Sequence, residues 1–161
     1  MGRASLFSFI AAAVGYLLGS IPFGYVIAKL RGVDILTAGS GNIGATNVRR
    51  SVGFGAGALV FILDSAKGSL ATFWPILCIG NDSGRQIAAV GLMGALFGHM
   101  FSAFLHFRGG KGVAVAIGGF AVLEPNVLPL ALTTWLVVFA FGRFVSLASI
   151  FFALMLPLCS Y

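Results

Sequence analysis

Long apolar stretches alternate with short polar segments along this chain. The first apolar stretch runs from about Leu6 to Ala28 and contains Pro22, which predicts a kink at that point. Two more stretches cover about Phe54 to Ile79 and about Gln86 to His106. A helix needs roughly 20 residues to cross a bilayer, and each of these stretches reaches that length. The pattern therefore predicts a membrane-spanning helix over each of them.

Shorter segments follow in the last third of the chain. Val113 to Leu123 is apolar but brief, so it fits either a short helix or a re-entrant one. Residues 124–126, Glu-Pro-Asn, predict a turn, Val127 to Phe141 another span, and a last span begins at Phe144. Backbone polar groups in lipid need partners within their own segment, so the predicted fold class is all-α, with five to six transmembrane or partly re-entrant helices. We expect residues 1–161 to form a single membrane-embedded domain.

Composition excludes a water-soluble fold. Of the 161 residues, 59% are hydrophobic and only 9% are charged, and the mean hydropathy is +1.04. A soluble domain has too little interior to bury so much apolar surface. The first apolar stretch is longer than the core of a signal peptide, so we expect no cleaved leader. Cys78 and Cys159 lie in apolar segments without metal-ligand spacing, which is typical of buried thiols.

Positive residues gather on one predicted side of the membrane. If alternate connections share a side, these cations lie together: Lys29, Arg31, Arg49, Arg50, Arg108, Lys111 and Arg143. Arg3 and Arg85 fall on the opposite side. Loops rich in lysine and arginine face the cytoplasm, so we expect a multi-pass protein with its N-terminus outside. The cations lie on short loops beside the membrane, which argues against nucleic acid as a partner and leaves attraction to anionic lipid as one interpretation.

Three polar segments on this cationic side carry candidate chemistry. AGSGNIGATNVRR, from Ala38 to Arg50, combines conformationally free glycines with hydroxyl, amide and guanidinium donors. GHMFSAFLHFRGGKG, residues 98–112, places a lysine among glycines. GRFVSLAS spaces Arg143, Ser146 and Ser149 at i, i+3 and i+6, on one side of a helix. Donors of these kinds suit an anion, most naturally a phosphate, although the spacing of a Walker A loop is absent.

General bases and metal ligands are scarce in this sequence. The acidic residues are Asp34, Asp64, Asp82 and Glu124, and their spacing predicts neither a carboxylate pair nor a metal site. The H-x-x-x-x-D arrangement of many glycerolipid acyltransferases and the G-x-S-x-G nucleophile elbow are both missing. The pattern favours a reaction in which one substrate arrives activated and phosphorylated. Asp64 and Lys67, three residues apart, are either a structural pair or a functional buried pair.

Two of the polar segments resemble the motifs of a known family. GSGNIGATNVRR and GHMFSAFLHFRGGKGVAV closely resemble two signature motifs of the bacterial acyl-phosphate:glycerol-3-phosphate acyltransferases, the PlsY family, and GSIPFG, LDSAKG and RFVSLASI look like further family blocks. The resemblance implies transfer of a fatty acyl group from acyl phosphate to the 1-hydroxyl of glycerol 3-phosphate in the bacterial inner membrane. Lysophosphatidic acid and phosphate would form without coenzyme A or another cofactor, in the first acylation step of phospholipid synthesis. Membrane lipid and the soluble enzyme that forms acyl phosphate are implied partners.

The resemblance implies a phosphate pocket lined by Ser40, Thr46, Asn47, Arg50, Lys111 and Ser149, and residue chemistry supplies the remaining expectations for the site. Lys111, Ser40 and Arg50 would be catalytic, with Lys111 stabilising charge on the acyl oxygen and a bound phosphate taking the proton of the attacking hydroxyl. The residues expected to bind substrate are Gly39, Gly41, Asn42, Thr46, Asn47, Arg49, His99, Gly110, Ser146 and Ser149. For His99, a structural role at a helix end and a role as catalytic base are both open. No metal ligands are expected.

The chain departs from the family pattern in three places. Ser102 stands where the family usually has proline, Val115 stands where threonine often closes its motif, and Tyr161 ends the sequence before a block that family members usually carry. Two alternatives stay open: a small transporter of phosphate or glycerol phosphate, which the same anion donors would serve, and an inactive, shortened relative. A transporter is expected to have a pseudo-repeat with polar groups near the midplane, whereas these polar segments gather at one face.

Overall fold

The structure is a computed structural model that describes residues 2–144, 147–152 and 154. All secondary-structure elements among these residues are helices, and none is a strand. The helices are α1 (Arg3–Ser20), α2 (Phe23–Leu30), α3 (Ala45–Ser51), α4 (Phe54–Ile79), α5 (Asn81–Met100), α6 (Val113–Leu123) and α7 (Leu128–Gly142). A 3-10 turn covers Ala103–Leu105, and residues 147–152 are also helical. The chain divides into two compact units, Met1–Gly119 and Phe120–Tyr161.

Three helical stretches in the described part of the chain are long and apolar enough to cross a membrane: Arg3–Leu30, Phe54–Ile79 and Ser83–Leu105. Helices α6 and α7 are apolar but shorter. Large apolar side chains cover the outside of the long helices, with Phe9 and Leu77 each about two-thirds exposed, at 67% and 66%. Such a surface suits lipid rather than water. The predicted all-α membrane fold is confirmed, whereas the total of five to six helices stays a prediction because the last span lies largely outside the described residues.

The helix bounds follow the apolar pattern with two differences. Helices α4 and α6 begin and end where the sequence predicts. At Pro22 the predicted kink is a break, because α1 ends two residues before the proline and α2 begins after it. The stretch predicted from about Gln86 to His106 agrees with the membrane-length stretch Ser83–Leu105, although the α-helix within it has other bounds. Helix α5 begins at Asn81, and it stops at Met100 before a turn in which His106 has a φ of +52°, outside the range of a right-handed helix.

Glycines bring α1 and α5 into close contact. A Cβ atom at Gly15 would collide with the carbonyl of Gly91, and a Cβ atom at Gly98 would collide with the carbonyl of Tyr16. Helix α5 also packs against α4, which in turn contacts α1, α2 and α3. Small residues allow such close approach between membrane helices, where van der Waals contact contributes much of the association energy. The three helices form a tight support for the loops at their ends.

Candidate functional site

The segment from Ala38 to Gly44 folds back on itself. Gly39 and Gly41 have φ angles of +60° and +69°, in the left-handed region that other residues seldom adopt. The N–H of Gly41 donates to the carbonyl of Ala38 at 3.1 Å, which closes the turn. Gly44 is the N-cap residue of α3, so the loop leads directly into that helix. We call this segment, together with α3, the first loop.

Asn47 holds the first loop together. Its Oδ1 accepts a hydrogen bond from the N–H of Ser40 at 2.9 Å, and its Nδ2 donates to the carbonyls of Ala38 and Asn42 at 3.0 and 2.8 Å. The side chain is buried, with 4% of its surface exposed. Asn42 adds a local bond, because its Oδ1 accepts from the N–H of Gly44 at 2.7 Å. The contact of Asn47 with substrate stays a prediction, and its polar atoms already serve to shape the loop.

Other predicted site residues of the first loop are exposed. The side chains of Ser40, Thr46 and Arg50 all reach its surface. Arg49 is also exposed, but its guanidinium carbon lies 5.8 Å from the ring centre of Phe54, and Gly57 leaves room for its Cβ. Arg49 therefore attaches α3 to α4, whereas Ser40, Thr46 and Arg50 present two hydroxyls and a cation on a braced loop.

A second loop, residues 101–112, rests on the end of α5. The N–H of Gly110 donates to the carbonyl of His99 at 3.0 Å, and a Cβ atom at Gly110 would collide with Nε2 of the same histidine. A Cβ atom at Gly109 would likewise collide with the carbonyl oxygens of His99 and Met100. Gly112 has a φ of +77°. The glycines therefore let the backbone lie directly on a buried imidazole, with the exposed side chain of Lys111 held between them.

A buried ion pair lies beneath the two loops. Nζ of Lys67 is 3.0 Å from Oδ1 of Asp64, and the side chains are only 3% and 2% exposed. The same ammonium donates to the carbonyls of Gly19 and Ile21 at 2.8 and 2.9 Å, in addition to its ion pair with Asp64. Nδ1 of His99 lies 3.8 Å from the Asp64 carboxylate. His99 lies in the last turn of α5, and its structural role and its contact with substrate both stay predictions.

Ser102 is a site-supporting residue that the sequence reasoning did not assign. Its Oγ donates to the carbonyl of Ser20 at 2.6 Å, and its side chain is buried. In the sequence, Pro22 indicates that such a donor is needed, because proline lacks an N–H and interrupts the helix. Carbonyls near it therefore need donors from elsewhere. The identity of the donor depends on contacts across 82 residues of sequence, which local patterns do not contain.

The third predicted segment belongs to the second unit. Ser149 is described, and its Oγ accepts a hydrogen bond from Nε1 of Trp135 at 3.4 Å. Arg143 ends α7 with a φ of +54°. Ser146 lies outside the described residues. Among the residues that the structure describes, no three His, Cys, Asp or Glu side chains lie together as metal ligands do.

Comparisons with known proteins agree with these features. The family described as glycerol-3-phosphate acyltransferase matches residues 9–161. The glycerol-3-phosphate acyltransferase of Aquifex aeolicus is 49% identical over 135 residues, which cover 84% of this chain and 69% of that protein. The one from Myxococcus xanthus is 46% identical over 138 residues, covering 85% and 71% respectively.

A solved structure is similar over nearly the whole chain. The crystal structure of PlsY (YgiH), an integral membrane glycerol 3-phosphate acyltransferase, in its glycerol 3-phosphate form, superposes with a TM-score of 0.83 at 42% identity. The similarity covers 99% of this chain and 79% of that one. A lysophosphatidic acid form of PlsY superposes equally well. The chain therefore belongs to the glycerol-3-phosphate acyltransferase family and is an integral membrane acyltransferase.

Proposed function

We propose that this acyltransferase takes its acyl group from acyl phosphate and transfers it to the 1-hydroxyl of glycerol 3-phosphate. The observation that carries the proposal is the braced first loop, which presents Ser40, Thr46 and Arg50 at its surface. Lys111 adds a second cation on the glycine-rich second loop. Donor and acceptor each carry a phosphate, and guanidinium, hydroxyl and backbone N–H groups bind phosphate well. The glycerol 3-phosphate and lysophosphatidic acid forms of PlsY support the same acceptor and product.

The reaction needs little general-base chemistry from the protein. The acceptor oxygen attacks the acyl carbon, the bond from that carbon to the phosphate oxygen breaks, and inorganic phosphate leaves. The hydroxyl proton passes to the departing phosphate or to one bound beside it, since Asp64 is paired with Lys67 and His99 is buried. Lys111 stabilises the charge that develops on the acyl oxygen, while Arg50 and Ser40 hold phosphate.

We also propose an orientation in the bacterial inner membrane. Both loops face the cytoplasm and the N-terminus lies outside, which the distribution of lysine and arginine supports. A soluble enzyme that forms acyl phosphate then supplies the donor from the same side as the loops. The acyl chain lies among the helices, in surroundings as apolar as lipid. Ser146 and Ser149 stay predicted substrate-binding residues in this proposal.

A comparison of donors tests the proposed chemistry. Purified protein in detergent receives glycerol 3-phosphate with either acyl phosphate or acyl-CoA of the same chain length. We expect lysophosphatidic acid from acyl phosphate alone, and Lys111→Ala lowers its formation strongly. Lys29→Ala is the matched control, because Lys29 is an exposed lysine that donates to the hydroxyl of Tyr25 and lies over its ring, on its own helix. Comparable product formation from acyl-CoA refutes the proposed donor.

A further inference from the structure

The break between α1 and α2 is held by donors from two other parts of the bundle. Three successive residues, 19–21, have carbonyls that accept bonds from outside α1 and α2. Lys67 on α4 donates to the first and third, and Ser102 after α5 donates to the second. We call residues 19–21 the corner. Pro22 has no N–H to give back to α1, and the N–H of Phe23 donates to the carbonyl of Ile21, so Lys67 and Ser102 supply the partners that the interrupted helix does not give to Gly19 and Ser20.

The corner determines where α2 lies, and α2 contacts the first loop. A Cβ atom at Gly24 would collide with the carbonyl of Ile43 and come within 3.3 Å of a methyl carbon of Val48. Ile43 and Val48 are themselves buried in one apolar cluster with Ala28 of α2. Close-packed contacts of this kind transmit displacement, because a packed interior compresses little. A shift of α2 therefore moves the first loop.

The ion pair that binds the corner also contacts the support of the second loop. Asp64 Oδ1 is 3.8 Å from Nδ1 of His99, while the carbonyl of His99 accepts from Gly110 and its Nε2 lies against that glycine. One buried pair thus lies between the corner, which leads to the first loop through α2, and the residue on which the second loop rests. Both loops belong to the unit Met1–Gly119.

Capping the corner does not by itself require a charge. The middle carbonyl is satisfied by the neutral hydroxyl of Ser102. A buried ion pair in a membrane protein is costly, because two charges lose their hydration. The ammonium of Lys67 does what one hydroxyl cannot, since from one point it donates to the carbonyls of Gly19 and Ile21 and forms an ion pair with Asp64.

We propose that Lys67, held by Asp64, is a positioning residue that fixes the distance between the first and second loops. The inference rests on the proposed function, because the loops matter for catalysis only if they bind the reacting phosphates. Lys67 touches no reacting atom in this proposal. It acts by placing Lys111 relative to Ser40 and Arg50.

A double-mutant cycle tests this role. The kcat/KM for lysophosphatidic acid formation is measured per folded protein for wild type, Lys67→Met, Lys111→Ala and the double variant. A misplacement of about 1 Å lowers rates on the order of 10²-fold, so Lys67→Met is expected to cost that much in the wild-type background. In the Lys111→Ala background, Lys67→Met is expected to lower kcat/KM by about twofold or less, because the group that Lys67 positions is gone. A change of about twofold is the usual variation between independent mutations.

Equal losses of kcat/KM from Lys67→Met in both backgrounds overturn the proposal. A residue that acts independently of Lys111 would lower kcat/KM by the same factor whether or not Lys111 is present. Lys67→Arg keeps the charge and the donors, and we expect it to recover part of the lost kcat/KM. If Lys67→Met does not accumulate as folded protein, Asp64→Asn takes its place in the cycle, with the same expected and refuting results. Wild-type protein that forms no lysophosphatidic acid from acyl phosphate refutes the proposed function instead.

Discussion

Replacing Asn47 by aspartate exchanges one NH₂ group for an oxygen and removes both donors that brace the first loop. The remaining Oδ1 can keep the bond that it accepts from the N–H of Ser40, which is 2.9 Å long in the wild-type structure. The new oxygen faces the carbonyls of Ala38 and Asn42, which the amide reaches at 3.0 and 2.8 Å. Two hydrogen bonds become two contacts between oxygens that repel each other.

The hydrogen bonds determine the size of the effect. Each contributes about 1 kcal/mol net, so the loss of two costs about 2 kcal/mol before any repulsion is counted. This energy is concentrated in the segment that carries Ser40 and leads into α3 with Thr46 and Arg50. If the braced form is the active one, about 2 kcal/mol lowers kcat/KM by roughly 30-fold. Repulsion adds to that figure.

Asn42→Asp is the matched control. It introduces the same negative charge into the same loop, but its Oδ1 still accepts the 2.7 Å bond from the N–H of Gly44. Any weakening of anion binding by the charge appears in both variants, whereas the loss of the two hydrogen bonds to the carbonyls of Ala38 and Asn42 appears only in Asn47→Asp. The assay is kcat/KM for lysophosphatidic acid formation, on proteins with matched elution profiles. Equal losses in the two variants refute the role of Asn47 as a brace.

Three further predictions concern charge, orientation and packing. Lys111→Ala is expected to lower turnover on the order of 10²–10³-fold, and Arg108→Ala no more than about tenfold; a larger loss at Arg108 contradicts the assignment. Single cysteines at Arg31 and Arg85, in a cysteine-free background, are expected to react with an impermeant label from opposite sides of sealed vesicles, and labelling from one side refutes the orientation. Gly98→Ala drives a methyl group into α1 and is expected to destabilise the fold by about 1–3 kcal/mol. Gly55→Ala, which has open space, is its control, and equal melting temperatures refute close packing of α1 and α5.

Local sequence patterns predict the helices well where apolar runs end abruptly. The bounds of α4 follow from apolar residues between Gly53 and Gly80, and the interruption near Pro22 follows from the missing N–H. The start of α5 could not be predicted, because the polar residues 81–85 have the composition of a loop although they form its first turns. Helix α3 was also missed, since its seven residues, Ala45–Ser51, are too few for apolar periodicity to appear.

The candidate site divides in the same way. Glycine and donor composition indicates phosphate-binding loops, and an i, i+3 spacing indicates the pair of Asp64 and Lys67, which the structure brings to 3.0 Å. The two carbonyls that Lys67 contacts lie at the end of α1, 46 to 48 residues earlier in the chain, so nothing local identifies them. For Asn47, the residue type alone does not show how its donors are used. Its residue type suits a ligand contact, and only the folded loop reveals that its donors are used internally.

The corner at residues 19–21 has a consequence for the order of events during synthesis. Lys67 and Ser102 follow the carbonyls they satisfy by 46 to 82 residues, so the ribosome releases α1 and α2 long before either donor exists. An unpaired carbonyl in hydrocarbon costs several kcal/mol, so α1 and α2 are less stable in the bilayer before their donors arrive. The newly inserted N-terminal segment therefore completes its backbone bonding only after α4 and the end of α5 have entered the bilayer. Nascent chains arrested before Ser102 should be held by insertion factors or degraded, and release should coincide with the arrival of that residue.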